Sequence, residues 1–442
     1  MTDLIPTEEI RGLAAASREG AVALRRDLHR RPEPGWLEFR TTARLAEGLE
    51  ALGLPFQQGR EVVREDARLG LPPDPELAGA YEKVRSSGVP ARFLEPQEGG
   101  FTGLVAVLDT GRPGPTVGLR FDIDANAGEE SRDPGHLPAR EGFRSENPGF
   151  MHNCAHDGHA AMGLTTARIL SSLRGSLSGR VKFIFQPAEE GARGAHAMAA
   201  AGVVDDVDVF LAAHIGVRAR RTGRLVCGAT GFQATTKLDV RFLGRSAHAG
   251  LEPEKGRNAL LAAANAVVNL YALPRHSAGR TRINVGRLEA GEGRNIVPAR
   301  AFLQIETRGA TTDLDAYMRE RALEVLRGAA ALQGVEVEIE EVGRTVGGDS
   351  DPALARLVGE VAADMGEFDE IAHTEDFGAS DDAVLLMERV KERGGSAVYV
   401  VLGSELPSGH HTPSFDFNED VLVTGPKLLS AVACRLASEG VG

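Results

Sequence analysis

Along the 442 residues the rhythm of apolar positions changes twice, and no other feature constrains the fold as tightly. FTGLVAVLDTG (101–111), PTVGLRFDID (115–124), GRVKFIFQPAEE (179–190) and VDVFLAAHIG (207–216) are short β-rich apolar runs. Helical stretches such as AAMGLTTARILSSLRG (160–175) lie between them. Strands alternating with helices predict an α/β domain around a mostly parallel sheet. From about 228 to 341 the order becomes TTKLDVRFLG, NALLAAANAVVNLYAL, RINVGRLEAG, RAFLQIETRG, DLDAYMRERALEVLRGAAALQG and VEVEIEEVGR. That is β-α-β-β-α-β, the order of a ferredoxin-like unit. SAVYVVLGSE (396–405) then returns to the first style, ahead of a last helix around VTGPKLLSAVACRLA. The expected organisation is an α/β domain in two parts, 1–227 and 342–442, with a compact unit of 228–341 inserted between them.

Residues 7–54 read as helix at Leu13, Val22, Leu24, Leu28 and again at Leu45, Leu49 and Leu52, broken by RRPEPGW (30–36). The charged, proline-spotted stretch 61–100 reads as an insertion or a helical excursion. Fifty basic against 63 acidic residues give a net charge of −13, which argues against nucleic acid or an anionic membrane as partner. No apolar run approaches the ~18 residues of a bilayer span, and the N-terminus shows no basic-then-apolar secretion signal. Three cysteines, Cys154, Cys227 and Cys434, form no disulfide framework and suit a reducing cytoplasm.

Chemistry concentrates in MHNCAHDGH (151–159), which holds three of the twelve histidines within eight residues. Cys154 and His156, two apart, lie on one side of an extended or loop backbone, so thiolate and imidazole can converge on one cation. Asp157 is placed to hold a ligating ring in its tautomer. The plainer reading, a polar loop with Cys154 buried as a small hydrophobe, leaves the histidine density unexplained. Glu189 and Glu190 follow the strand VKFIFQ at its carboxyl end, where open α/β sheets place ligands. Adjacent carboxylates point in different directions and supply both a ligand and a general base, although a solvated helix N-terminus would also favour them. His214 ends DVFLAAH, Asp122 and Asp124 end TVGLRFDID, and His410-His411 sit past SELPSG. Five segments, four of them strand ends, thus deliver Cys, His, Glu and Asp to one sheet edge. Their convergence predicts a site for one or two metal ions.

HNCAHDGH, FQPAEEG, AAHIG, GRSAHAG, NIVPARAFLQIETRG and HHTPSFDF, in that order, resemble the M20 family of metallo-aminohydrolases. They are most similar to its amidohydrolase branch, with aminoacylases, indole-acetyl-amino-acid hydrolases and hippurate hydrolases. Within the branch, HRRPEPGWLEFRTTARLAEGLEALG, the 61–100 stretch, EGGFTGLVAVLDTGRPGP and VVDDVDVF resemble the A-type subunits of aminobenzoyl-glutamate hydrolases. The resemblance implies a zinc-peptidase-like catalytic domain with an inserted ferredoxin-like dimerisation or lid domain. It places metal ligands on Cys154, His156, Glu190 and His214, and the general base on Glu189. His411 fits the family's H-x-P-x-F spacing and is chosen as the last ligand over His410. His248 matches a histidine that reaches the neighbouring subunit's active site, while Asn295 and Arg308 match positions that hold the substrate's carbonyl oxygen and carboxylate. Two departures stand out: Ala155 replaces the glycine between the ligand pair, and Ser380-Asp381-Asp382 replaces Ser-Glu-Asp. Alanine is tolerated unless that backbone needs a positive φ.

The implied reaction is metal-dependent hydrolysis of N-acyl or N-aroyl amino acids, with p-aminobenzoyl-glutamate the first candidate. Each subunit would hold two divalent cations, Mn2+ or Zn2+. Partners would be the small-molecule substrate and either a second copy in a homodimer or a homologous B subunit in a hetero-oligomer. The alternatives are a general N-acyl-amino-acid amidohydrolase or dipeptidase, and a chain active only beside a homologous partner.

Overall fold

The computed structural model describes residues 6–439; residues 1–5, the start of the stretch read for a secretion signal, lie outside them. The chain forms two compact units. The larger runs to Thr230 and takes up Asp349–Phe377 and the stretch from Asp382 onward; the smaller is Gly231–Gly348 with Gly378–Asp381. Strands in chain order are β1 (Phe56–Gln58), β2 (Leu104–Asp109), β3 (Thr116–Asp122), β4 (Asn126–Ala127), β5 (Phe150–Met151), β6 (Arg180–Gln186), β7 (Val209–Ile215) and β8 (Arg224–Thr230). The smaller unit holds β9 (Ala234–Leu243), β10 (Thr281–Ala290), β11 (Arg300–Gly309) and β12 (Glu336–Thr345); β13 (Glu370–Asp376) and β14 (Ser396–Leu402) return to the larger.

The eight-stranded sheet of the larger unit has the order β1-β2-β6-β3-β7-β14-β8-β13. It is mixed, with the parallel strands that the sequence reading expects and antiparallel ones added to them. β6, β3, β7 and β14 run parallel, as do β8 and β13, while β1–β2, β2–β6 and β14–β8 are antiparallel. Connection length explains the reversals. Six residues join β2 to β3 and eight join β7 to β8, too few for a parallel crossover, which takes a dozen or more. β3 and β7 are buried along their whole length, as near-continuous apolar strands must be. Helices Thr7–Arg30, His156–Ser172 and Val421–Glu439 pack together over the sheet, and Gly194–Ala200 packs with Ala383–Glu392. The 61–100 stretch forms short 3-10 turns and the helix Asp74–Ser86, whose Leu77 and Val84 bury against Leu37, Phe39 and Leu94.

The smaller unit is a four-stranded antiparallel sheet ordered β10-β11-β9-β12. Its helices, Ala259–Tyr271 and Thr312–Gln333, start at Asn258 and Thr311, whose side chains accept backbone N–H bonds three residues on. The second ends at Gly334, left-handed at φ +60°. Leu303 and Ile305 of β11 are buried in one core with Leu238, Val240, Met318 and Leu326, while Gln304 is exposed. Alternate residues of AFLQIET thus face the core, as the two-residue period of a strand requires. Among the described residues no helix is long and apolar enough to cross a membrane.

Candidate metal centre

β6, β3, β7 and β14 are adjacent and parallel, so their carboxyl ends share one edge of the sheet. Asp122 ends β3 and Asp124 follows it. Past β6 the chain turns at Ala188, with φ +50°, to present Glu189 and Glu190. Carboxylates hold this turn: Glu38 accepts from the Ala188 N–H at 2.7 Å, and Asp124 accepts from Glu189 N–H at 3.1 Å and Glu190 N–H at 2.9 Å. Cys154 precedes the helix His156–Ser172, and Ala155 between them takes φ +69°. This backbone does need the left-handed region, so the alanine carries strain that glycine would not. His214 lies in β7, and His411, at φ +61°, donates its N–H to Asn153 O at 2.9 Å.

These elements bring Cys154, His156, Glu189, Glu190, His214 and His411 together. Within Cys154/His156/His214, His156/Glu189/Glu190 and Cys154/Glu190/His411, candidate ligand atoms all lie within 4.8 Å of one another. Cys154 Sγ is 3.6 Å from His214 Nε2, whose other nitrogen donates to Ile215 O at 2.9 Å. His156 Nδ1 donates to Asp124 O at 3.0 Å, and its buried Nε2 has no hydrogen-bond partner. An orphaned ring nitrogen, fixed in tautomer from behind and facing a thiol and carboxylates, fits a metal ligand. His411 Nε2 is 3.2 Å from Glu190 Oε1, which Asn126 also reaches. His410 instead spends its Nε2 on Ile215 O at 3.1 Å, which favours His411 in the choice between them. The donor set of thiol, imidazoles and carboxylates fits divalent zinc or manganese.

The electrostatics are those of a site built around cationic charge. Burial and the Glu190 carboxylate push the Cys154 thiol well above its ordinary value. Burial disfavours charge on His156, but Asp122 and a hydrogen bond to Asp124 hold its pKa well above the usual range. Glu190, despite burial, is held at about 2 by the hydrogen bond to His411 and by His156. Burial and the neighbouring His159 push His214 down.

Asp157 does not orient a ligating ring. It pairs with Arg25 at 2.9 Å and His29 at 2.8 Å, because the first turn of its helix faces away from the cluster, toward Thr7–Arg30. Asp124 fills the role instead, for His156. Asp122 grips His159 Nδ1 at 2.5 Å, and His159 Nε2 accepts from Ile215 N–H at 3.0 Å, so this third histidine is fully engaged. Asp382 is buried and accepts from Arg120 at 3.1 Å and Gln186 at 2.7 Å. The sequence marks Asp124 only as a strand-end acid and His159 only by its nearness to Cys154, and nothing in it marks Asn126 as functional.

His248, Asn295 and Arg308 all belong to the smaller unit. His248 and Asn295 are exposed on adjoining loops, joined by Ala249 N–H to Asn295 O at 3.0 Å and Val297 N–H to Ala247 O at 2.9 Å. Arg308 is half-buried and forks onto Glu306, Nε–Oε2 2.9 Å and Nη2–Oε1 3.0 Å, with Nη1 3.4 Å from Ser380 Oγ. Its guanidinium thus already has an acid of its own strand, and the pairing lowers the Glu306 pKa against burial.

The sequence pattern of Peptidase family M20/M25/M40 matches residues 118–435. Indole-3-acetyl-aspartic acid hydrolase of Enterobacter agglomerans is 50% identical over 410 residues, 92% of this chain and 94% of that protein. The A-type subunit of the p-aminobenzoyl-glutamate hydrolase of Escherichia coli (strain K12) is 48% identical over the same shares. The crystal structure of an aminobenzoyl-glutamate utilization protein from Klebsiella pneumoniae superposes with a TM-score of 0.84 at 42% identity, covering 97% of this chain and 98% of that one.

Proposed function

The chain belongs to peptidase family M20/M25/M40 and is an enzyme that hydrolyses amide bonds, and from that premise we propose that it cleaves N-acyl and N-aroyl conjugates of acidic amino acids. p-Aminobenzoyl-glutamate, split to p-aminobenzoate and glutamate, is the first substrate. The observation that carries the reading is the cluster of Cys154, His156, Glu189, Glu190, His214 and His411, buried at His156 and His214 and open at His411, in a chain half identical to two hydrolases of acyl-aspartate and aroyl-glutamate. Both of those substrates end in a dicarboxylic amino acid, and their acyl parts differ.

Cys154, His156, Glu190, His214 and His411 would hold two divalent cations, Mn2+ or Zn2+. When bound, such cations polarise an amide carbonyl and lower the pKa of water. Glu189 takes the proton of the attacking water and returns it to the leaving amine nitrogen, so no free amide anion has to leave. Asp124 fixes the His156 ring and both glutamate N–H groups, which keeps base and ligand in one geometry. His248 and Asn295 donate to the developing oxyanion, His248 from a neighbouring copy. Arg308 exchanges Glu306 for the substrate's α-carboxylate and so orients the amide.

The inserted β-α-β-β-α-β unit acts as the dimerisation or lid domain of this proposal. Its partner is a second copy or a homologous B subunit, the latter suggested by relatives that are themselves named as one of a hydrolase's subunits. A reducing, cytoplasmic location suits three free thiols. The test is a rate comparison of the chain alone, and with a candidate B subunit, on p-aminobenzoyl-glutamate, indole-acetyl-aspartate, acetyl-amino acids and dipeptides. Preference for the acidic conjugates is expected. Equal rates on neutral dipeptides would replace the reading by a general dipeptidase.

A further inference from the structure

Behind the ligand cluster, Arg25 and His29 stand one turn apart on the helix Thr7–Arg30, and both are 0% exposed. The Arg25 guanidinium lies over Phe143 at 5.0 Å and Phe417 at 4.4 Å, and all three of its nitrogens end on acids. Nε donates to Asp157 at 2.9 Å, Nη2 to Asp416 at 2.5 Å and Nη1 to Glu419 at 3.1 Å. These acids come from two separate segments. Asp157 directly follows His156, and Asp416 lies five residues beyond His411. His29 adds a third arm, with Nδ1 on Asp157 and Nε2 on Glu130, each at 2.8 Å. Next to Glu130, the Ser131 N–H donates to Pro413 O at 2.8 Å, two residues past His411.

Burying this many charges is a poor way to gain stability, since apolar residues of similar volume do as well or better. What the arrangement does fix is distance. The loop of Cys154 and His156 and the segment of His411 contribute ligands to one cluster, and both are tied to one planar cation. We propose that Arg25 is a positioning residue for the metal centre, holding the Cys154–His156 loop and the His411 segment in mutual register before a cation binds. The proposal rests on reading the cluster as a metal centre, and its test separates the two.

Apo protein would be titrated with Co2+, read by the thiolate-to-cobalt absorption and by calorimetry, well below the melting temperature of each variant. The wild type should bind two equivalents, and Cys154→Ser should remove the thiolate band. If the wild type binds no Co2+ or Cys154→Ser leaves the spectrum unchanged, the metal reading itself fails and takes the proposal with it. Given that reading, Asp416→Asn and Asp157→Asn keep shape, remove one arm each, and should weaken Co2+ binding about 10- to 100-fold. Arg25→Lys, which keeps the charge but loses the fork, should weaken it as well. Arg18→Gln, which breaks an exposed pair of the same helix with Asp420, an acid that Arg25 does not touch, should leave Co2+ affinity unchanged. Should Arg25→Lys not fold, the two Asn variants carry the test alone. Wild-type Co2+ affinity in folded Asp416→Asn and Asp157→Asn, with only a lower melting temperature, would overturn the proposal and leave Arg25 a structural residue.

Discussion

At the carboxyl edge of the central sheet, Asp122, His156 and His159 are enclosed, and Ala155, Ala188 and His411 hold positive φ. On the smaller unit, His248 and Asn295 lie exposed on loops, and Arg308 rests on an acid of its own strand. In the first region the groups behind the ligand atoms are committed to partners, and the left-handed Ala155 and Ala188, at about 1–2 kcal/mol each, are held in place by surrounding packing. The second is held by backbone hydrogen bonds between loops and by one exchangeable ion pair. Chemistry that needs fixed ligands sits where the fold over-determines geometry. On the proposed reading, recognition of a variable acyl-amino acid falls to groups that can give up their partners.

The largest effect that would sharpen this contrast is Glu189→Gln. The amide keeps the shape but cannot take a proton, so kcat should fall about 100- to 10,000-fold while metal content, measured by elemental analysis, is retained. Near-normal turnover would remove Glu189 from the proton transfer. Arg308→Lys probes the other region. The ammonium cannot reproduce the planar fork, so kcat/KM should drop for the free acid and change little further for a substrate with its α-carboxylate amidated. Equal hydrolysis of free acid and amide by the wild type would leave Arg308 a partner of Glu306 only.

Smaller effects concern stability. Burial and Arg25 both lower the His29 pKa, yet hydrogen bonds to Asp157 and Glu130 raise it from 6.5 to about 9. A raised folded-state pKa stabilises fully below the unfolded value, and the gain is lost as pH climbs through about 9. The denaturation midpoint of the wild type should therefore fall between pH 7 and 9.5, and that of His29→Gln should fall less. Parallel pH profiles would mean His29 is neutral in the fold. The smallest effect is Ala155→Gly, which relieves φ +69° and should gain about 1 kcal/mol or less after the added chain entropy of glycine. A loss of stability there would show that the alanine methyl's packing outweighs the strain.

What the sequence disclosed follows from locality. β3, β6 and β7 are buried on both faces and read as apolar runs despite Arg120 and Lys182, and Asp122, Glu189 and His214 lie at or just past their ends, so the sheet and the candidate site are legible together. β13, EIAHTED, is an edge strand with mostly exposed side chains and gave no apolar signal. The direction of β2 depends on pairing with β6 about 75 residues later, which no local pattern records. Asp124 reaches His156 across 32 residues, Asn126 reaches Glu190 across 64 and Arg25 reaches Asp157 across 132. Such partners are chosen by the fold. Adjacency to His156 favours Asp157 for the orienting role, and the more distant Asp124 fills it.

The central claim, a metal centre that hydrolyses acyl-amino acids, is tested most directly by stepwise metal return. Apo protein, with its B-subunit partner if one is required, would be titrated with Mn2+ or Zn2+ while p-aminobenzoate release from p-aminobenzoyl-glutamate is followed. The account predicts no release from the apo form, and activity that rises with added metal and saturates at two equivalents per chain. Undiminished release by protein freed of metal would contradict it, as would continued absence of release from the fully loaded assembly.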